Sequence, residues 1–304
     1  MDLTVTADQA ALATALERLA ARFQQAPADF RGLALAGEEL DRELVAAEFF
    51  DIAETPDLGP VAAVLAVERL ARLPYASEVA LSMLVRPSLP GTRWPRPMAF
   101  VENGRPGRFV ASARTVLVRE GRELGVALLP PDGAEAVASI YAYPMGRVTK
   151  PLRLVPLSAS GAAEVQKWLR IALAAEAAGL IQAGIDKTVE HLNVRKQFGR
   201  PLGSFQALRH RLAECAVLAG GVKWLALKAA STADERDAAM AAFHAQDSAT
   251  RVTFELHQML GAMGMTLEHP LHLWTYRLKA LLSELGGRDA QAQAIVHHDV
   301  ALRG

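Results

Sequence analysis

Ile181, Ile185, Thr188 and Leu192 recur three or four places apart, the spacing that lines one face of a helix. The pattern predicts a long bundle helix, one face buried for about 30 residues, that closes at Arg195. Gly199, Pro201 and Gly203 then break it, Ser204 offers an N-cap, and a second helix follows through Arg209, His210 and Glu214. The expected unit is a helical hairpin with Arg195 and Gln206 facing each other across the turn.

Upstream, residues 7–25 and 38–50 are rich in Ala, Leu, Glu and Arg at helical spacing, and residues 57–60 break them from a further helix over 61–72. Leu73, Pro74 and Tyr75 end that helix before an apolar stretch over 78–85. The pattern then changes. Pro87, Pro90, Pro95, Pro97, Pro106, Pro130, Pro131 and Pro144 alternate with short β-like runs at 98–101, 108–111, 115–118 and 125–129, with turns at Asn103-Gly104 and Glu120-Gly121. Beyond Ser158 the helical pattern returns and runs to about residue 294. We expect an N-terminal helical domain over 1–85, a small β domain over 86–155 and a helical bundle over 156–304.

A chain of 304 residues that is 51% hydrophobic can bury a sizeable core. We expect no apolar run of the ~18 to 20 residues that a membrane span needs and no basic-then-apolar leader in the first ten residues, so the expected location is the cytoplasm, off the membrane. Lys plus Arg and Asp plus Glu both number 33, which leaves no basic field to condense on nucleic acid. Cys215 is the single cysteine, without a disulfide or metal companion, and reads as a buried helix residue beside Leu212, Ala216 and Leu218. The eight histidines, His191, His210, His244, His257, His269, His272, His297 and His298, show no His-x-x-x-His spacing with a carboxylate on the same face, so no metal site is expected.

The segment Arg195-Lys-Gln-Phe-Gly-Arg-Pro-Leu-Gly-Ser-Phe-Gln206 sets a cation, amides, an aromatic ring and two glycines at one helix-to-turn junction, the residue types a nucleotide needs. Its fixed elements Arg195, Gln197, Phe198, Gly199, Leu202, Phe205 and Gln206 resemble a signature of the acyl-CoA dehydrogenase family. A second family segment is matched by Gln258, Gly261, Gly264, Thr266, Glu268 and Pro270. The resemblance covers about residues 160–290 well and the first 150 loosely. It implies a mainly α fold with a small β domain and a C-terminal four-helix bundle, and flavin adenine dinucleotide as cofactor. Residues matching Arg195, Gln197 and Phe198 contact the adenosine diphosphate half, usually of a flavin held mainly by a neighbouring subunit. Gln206, Gln258, Gly261 and Gly264 belong to the same half. The bland alternative is that Arg195 caps a helix C-terminus, worth ~0.3 to 1 kcal/mol, and that Phe198 and Phe205 are core.

Two parts of the family pattern are missing. The segment that supports the flavin ring is not found, and Trp94 reads as a packing residue. Desaturation of an acyl-CoA thioester needs a carboxylate to take the α-proton. The two positions that carry it in the family fall here on Leu285 and Leu169, with Glu284 one residue early and Glu176 two turns beyond Leu169. The resemblance thus points to a half-site subunit. Its partner would be a related, longer chain, two of each, as in bacterial acyl-CoA dehydrogenases acting on steroid side chains, with an electron-transfer flavoprotein or similar acceptor. The competing expectations are a flavin-free structural or regulatory paralogue and a self-sufficient dehydrogenase that uses Glu284.

Overall fold

The computed structural model describes residues 6–91 and 93–301. Three helices open the chain, α1 (Ala7–Ala20), α2 (Glu38–Ala46) and α3 (Gly59–Ala71). The threonine at position 6 begins α1 with a reciprocal capping box to Gln9. The apolar stretch after α3 is a single π-helical turn, Leu81–Val85, running into a 3-10 turn at Arg86–Ser88.

The β region holds β1 (Met98–Glu102), β2 (Gly107–Arg108), β3 (Thr115–Glu120), β4 (Glu123–Leu128), β5 (Ala134–Ala136), β6 (Met145–Val148) and β7 (Val155–Pro156). One sheet runs β1-β3-β4-β7 and the other β2-β6-β5. β1 lies parallel to β3, while β3 and β4 form the expected hairpin, Glu120 opposite Glu123. Ala99, Val101, Val110, Val116 and Val118 form a small core of its own there. The strand expected over 108–111 stops at Arg108, because Phe109 turns to φ +63° and starts a 3-10 turn.

The bundle follows as α4 (Ala159–Val194), then the hairpin β8 (Lys196–Gln197) and β9 (Arg200–Pro201), then α5 (Gln206–Thr232), α6 (Glu235–Leu260), α7 (His272–Leu281) and α8 (Gly287–Ala301). α4 is buried on nearly every side, packed by α3, α5, α6 and α7. It carries an apolar window with the length and composition of a membrane span, contrary to the sequence reading; 89% of that window is buried inside the fold. Its run of Ala174, Ala175, Ala177, Ala178 and Gly179 lets α3 approach closely: a Cβ on Gly179 would stand 2.1 Å from the Glu68 carbonyl oxygen. α7 fastens the N-terminal helices to the bundle. Trp274 Nε1 donates to the Arg72 carbonyl (2.9 Å), Arg277 donates to the carbonyls of Leu73 (2.6 Å) and Tyr75 (3.1 Å), and a His272 ring nitrogen lies 3.0 Å from the Gly32 carbonyl. Cys215 is buried as expected, its thiol pushed up to about 11 by burial and by Glu255.

Candidate functional site

Two groups of sequence-predicted residues come together in the fold, and they occupy different places. The first is an exposed end of the bundle. β8 and β9 pair as Lys196 with Pro201 and Gln197 with Arg200, leaving Phe198 and Gly199 as a two-residue turn at φ +53° and +79°. Both central residues at positive φ match a type I′ hairpin, which Gly199 accommodates and a phenylalanine does not favour. The Phe198 ring is 89% exposed and meets the Phe205 ring edge-on. Arg200 lies over the Phe205 ring. The bland alternative, Phe198 as a core residue, is thereby set aside.

Ser204 does not cap α5. Its hydroxyl donates to the Pro201 carbonyl, and Phe205 holds the N-cap position without a side-chain bond. Leu202 N–H donates to the Arg195 carbonyl (2.8 Å), which folds the turn back onto the end of α4. Ion pairs Arg211–Glu255 and Arg251–Glu214 set α5 antiparallel to α6, so Gln206 at the start of α5 shares this end with Gln258 at the end of α6. Among the described residues, the side chains of Arg195, Gln197, Gln206 and Gln258 make no hydrogen bond within the chain, and all four are exposed. Gly261 has φ +59° and open space where its Cβ would be, so its backbone is accessible. Gly264 differs. It is buried, and its Cβ would meet the His257 carbonyl at 3.0 Å, so its lack of a side chain serves the packing of the turn.

The second group lies in the cleft between the β region and the bundle. Leu169 and Leu285, the two positions where the family pattern places a base, line one cavity together with Glu176, Glu284 and Arg108. Glu284 begins a three-residue turn, Glu284–Gly286, in which Leu285 takes φ +58°. The rotation that would aim Glu284 away from Leu285 on a helix is therefore absent.

Glu284 is not a solvated surface carboxylate. Arg108 donates from Nε to Glu284 Oε1 (2.6 Å) and from Nη2 to Glu284 Oε2 (3.0 Å), and from Nη1 to Glu176 Oε2 (2.9 Å). The Tyr143 hydroxyl donates to Glu176 Oε1 (2.6 Å), and the Tyr143 ring lies under the guanidinium at 4.6 Å. Burial acts against the Arg108 charge, yet Glu176 and Glu284 hold it well above its usual value. Burial and then Glu176 push the Tyr143 phenol well up. The surrounding turn is fixed as well: Leu285 N–H donates to Glu102 (2.8 Å), and Gln246 donates to the Glu284 carbonyl (3.0 Å). What remains of the cavity has about 20 Å³ of room for water centres, enough for one water.

Arg108 had no signal in the sequence. It stands alone in a weak strand, 68 residues from one partner and 176 from the other.

Residues 162–298 match the family model described as "Acyl-CoA dehydrogenase, C-terminal domain". That segment, the bundle from α4 to α8, is an acyl-CoA dehydrogenase C-terminal domain. Acyl-CoA dehydrogenase FadE34 of Mycobacterium tuberculosis is 32% identical over 203 residues, 60% of this chain and 29% of FadE34. The chain thus spans under a third of that relative's length. Among solved structures, butyryl-CoA dehydrogenase from Megasphaera elsdenii superposes with a TM-score of 0.78 at 19% identity, over 99% of this chain and 100% of the other. The Tcur3481-Tcur3483 steroid ACAD gives 0.75 at 20%, over 98% and 100%. At such identities these two establish the fold, helical domain, small β region and bundle, that the motifs implied.

Proposed function

We propose that this chain is a subunit of a flavin-dependent acyl-CoA dehydrogenase that introduces an α,β double bond into a thioester, and that a longer, related partner chain supplies the catalytic base. The observation that carries the reading is the pairing of two facts in one fold. Leu169 and Leu285, where the family pattern leads one to expect a base, line one cleft, and the nearby carboxylates are both held by Arg108. A general base needs a free oxygen within hydrogen-bond reach of the proton it takes. Each Glu284 oxygen already accepts from the guanidinium, which argues against the self-sufficient enzyme.

The exposed bundle end suits the other half of the task. Arg195 offers a charge for a pyrophosphate, Gln197, Gln206 and Gln258 offer unengaged amides, Phe198 an open ring, and Gly261 an open backbone. These residues fit the adenosine diphosphate tail of the flavin, whereas the cleft of this chain has no room for its ring. A bound flavin would supply a hydride acceptor for the β-hydrogen, and Arg195, Gln197, Gln206 and Gln258 of this chain would hold its tail. A flavin shared between this chain and its partner satisfies both observations, with two copies of each chain as the expected assembly and an electron-transfer flavoprotein as acceptor. The double naming of the Tcur3481-Tcur3483 steroid ACAD supports a two-chain assembly and a steroid side-chain thioester as the substrate to try first.

A second reading, a flavin-free paralogue that stabilises a partner, is favoured by the closed cleft alone. Co-expression with a longer dehydrogenase-like chain separates the two. A yellow complex that oxidises the thioester supports the first reading, and a colourless complex that still assembles overturns it.

A further inference from the structure

Arg108 stands between two cavities. Inside is the room of about 20 Å³ beside Leu169 and Leu285, and outside is a vestibule of about 90 Å³; Phe100, Arg108 and Glu284 line both. The two carboxylates on Arg108 are not equivalent. Glu176 sits on the central helix α4, its side chain 6% exposed, and also holds the Tyr143 hydroxyl. The Glu284 side chain is 23% exposed and, among the described residues, hydrogen-bonds to Arg108 alone. Its backbone is anchored independently through Gln246 and through Glu102 at the next residue. The carboxylate can therefore rotate into water while the turn stays in place.

We propose that Arg108 is a binding site for a small carboxylate with a short apolar tail, and that Glu284 is the resident carboxylate which this ligand displaces. Rotation of Glu284 frees Nε and Nη2, a planar fork that matches a carboxylate through two parallel hydrogen bonds. Arg108 meanwhile keeps Glu176, so no uncompensated charge is left in the cleft, and Glu284 regains hydration. Phe100, Pro106, Tyr141 and Met145 on the vestibule wall receive the tail. A neutral amide or thioester brings no charge to replace that of Glu284 and leaves the ion pair intact. The site goes beyond the subunit role proposed above and does not rest on it.

The test is titration of the whole chain with sodium butyrate, with sodium chloride at matched ionic strength and butyramide as controls, following the Arg108 Nε–H resonance. The expected result is a saturable shift with butyrate only. Glu284→Ala, which removes the internal competitor, should bind butyrate about tenfold more tightly or better. Arg108→Met, which lacks that resonance and is followed by titration calorimetry, should bind no butyrate, and the wild-type Arg108 resonance keeps the test decisive if that variant does not fold. The proposal is overturned if butyrate and chloride act alike on the wild type, if Glu284→Ala binds no more tightly, or if a folded Arg108→Met still binds butyrate.

Discussion

The Arg108 guanidinium grips both oxygens of the Glu284 carboxylate, across 176 residues of sequence, at 2.6 and 3.0 Å. It closes the cleft where the family pattern puts a base, using a carboxylate that the sequence offered as that base. The contact joins the β region to the turn after α7, so it also ties two parts of the fold together.

Removing the cation should cost more than removing this one anion. Arg108→Met leaves Glu176 and Glu284 facing each other in a closed site, an expected loss of about 3–5 kcal/mol. Glu284→Gln leaves Arg108 with Glu176 and a partly exposed amide, an expected loss of about 1 kcal/mol. Urea unfolding of the two variants checks the order, and equal midpoints would contradict it.

Stability should depend on pH through Glu78. Burial pushes its carboxyl up from 4.5 to about 7, although Arg96, Ser82 and the Met98 N–H draw it down. Between those values the folded chain keeps a proton that the unfolded chain has released. The Glu78 contribution is therefore complete below pH 4.5 and declines as pH rises through 7, by about 3 kcal/mol in all. His269 has the opposite sign: burial, then His191 and Lys187, lowers it to about 4, so its contribution grows from pH 4 to 6.5. The two separate on comparing wild type with Glu78→Gln, whose relative stability should improve by about 3 kcal/mol between pH 4.5 and about pH 8. A pH-independent difference would show that Glu78 is not the titrating group.

The close approach of α3 to α4 predicts opposite effects for two glycine-to-alanine changes. At Gly179 the new methyl group meets the Glu68 carbonyl and the Ala71 Cβ, an expected loss of about 1–3 kcal/mol or more. At Gly220, inside α5, nothing lies within 4 Å of the new Cβ, and alanine should stabilise the helix by about 0.5–1 kcal/mol. Thermal melts of both variants provide the check.

Phe198 is exposed at a positive φ, a conformation that asparagine adopts more readily. Phe198→Asn should stabilise the isolated chain by about 0.5–1 kcal/mol while lowering the flavin content of the complex. Arg195→Ala should leave the isolated chain unchanged within about 0.5 kcal/mol and lower flavin retention too. Loss of stability with flavin retention intact would assign both residues to the fold.

The parts of this molecule that local chemistry decides were legible in the sequence. The break after α4 follows from Gly199, Pro201 and Gly203, and the apolar spacing of α4 follows from its place at the centre of the bundle. Leu169 and Leu285 were named as base positions from motif counting, and the fold sets them in one cavity. Strands β5, β6 and β7, only two to four residues long, carried too little pattern to be seen. The Arg108–Glu176–Glu284 cluster was hidden for another reason: its members are brought together by tertiary packing alone. Ser204 had the right residue type for an N-cap, but its hydroxyl found the Pro201 carbonyl first.

In the proposed assembly this chain contributes the grip on a flavin tail and another chain contributes the base and the ring site. Flavin counted per chain in the purified complex with a longer partner tests it most directly. The expected count is one flavin per pair of unlike chains, none on this chain alone, with loss of flavin from the complex on Arg195→Ala. One flavin on each copy of this chain in isolation, with thioester oxidation and no partner present, would contradict it.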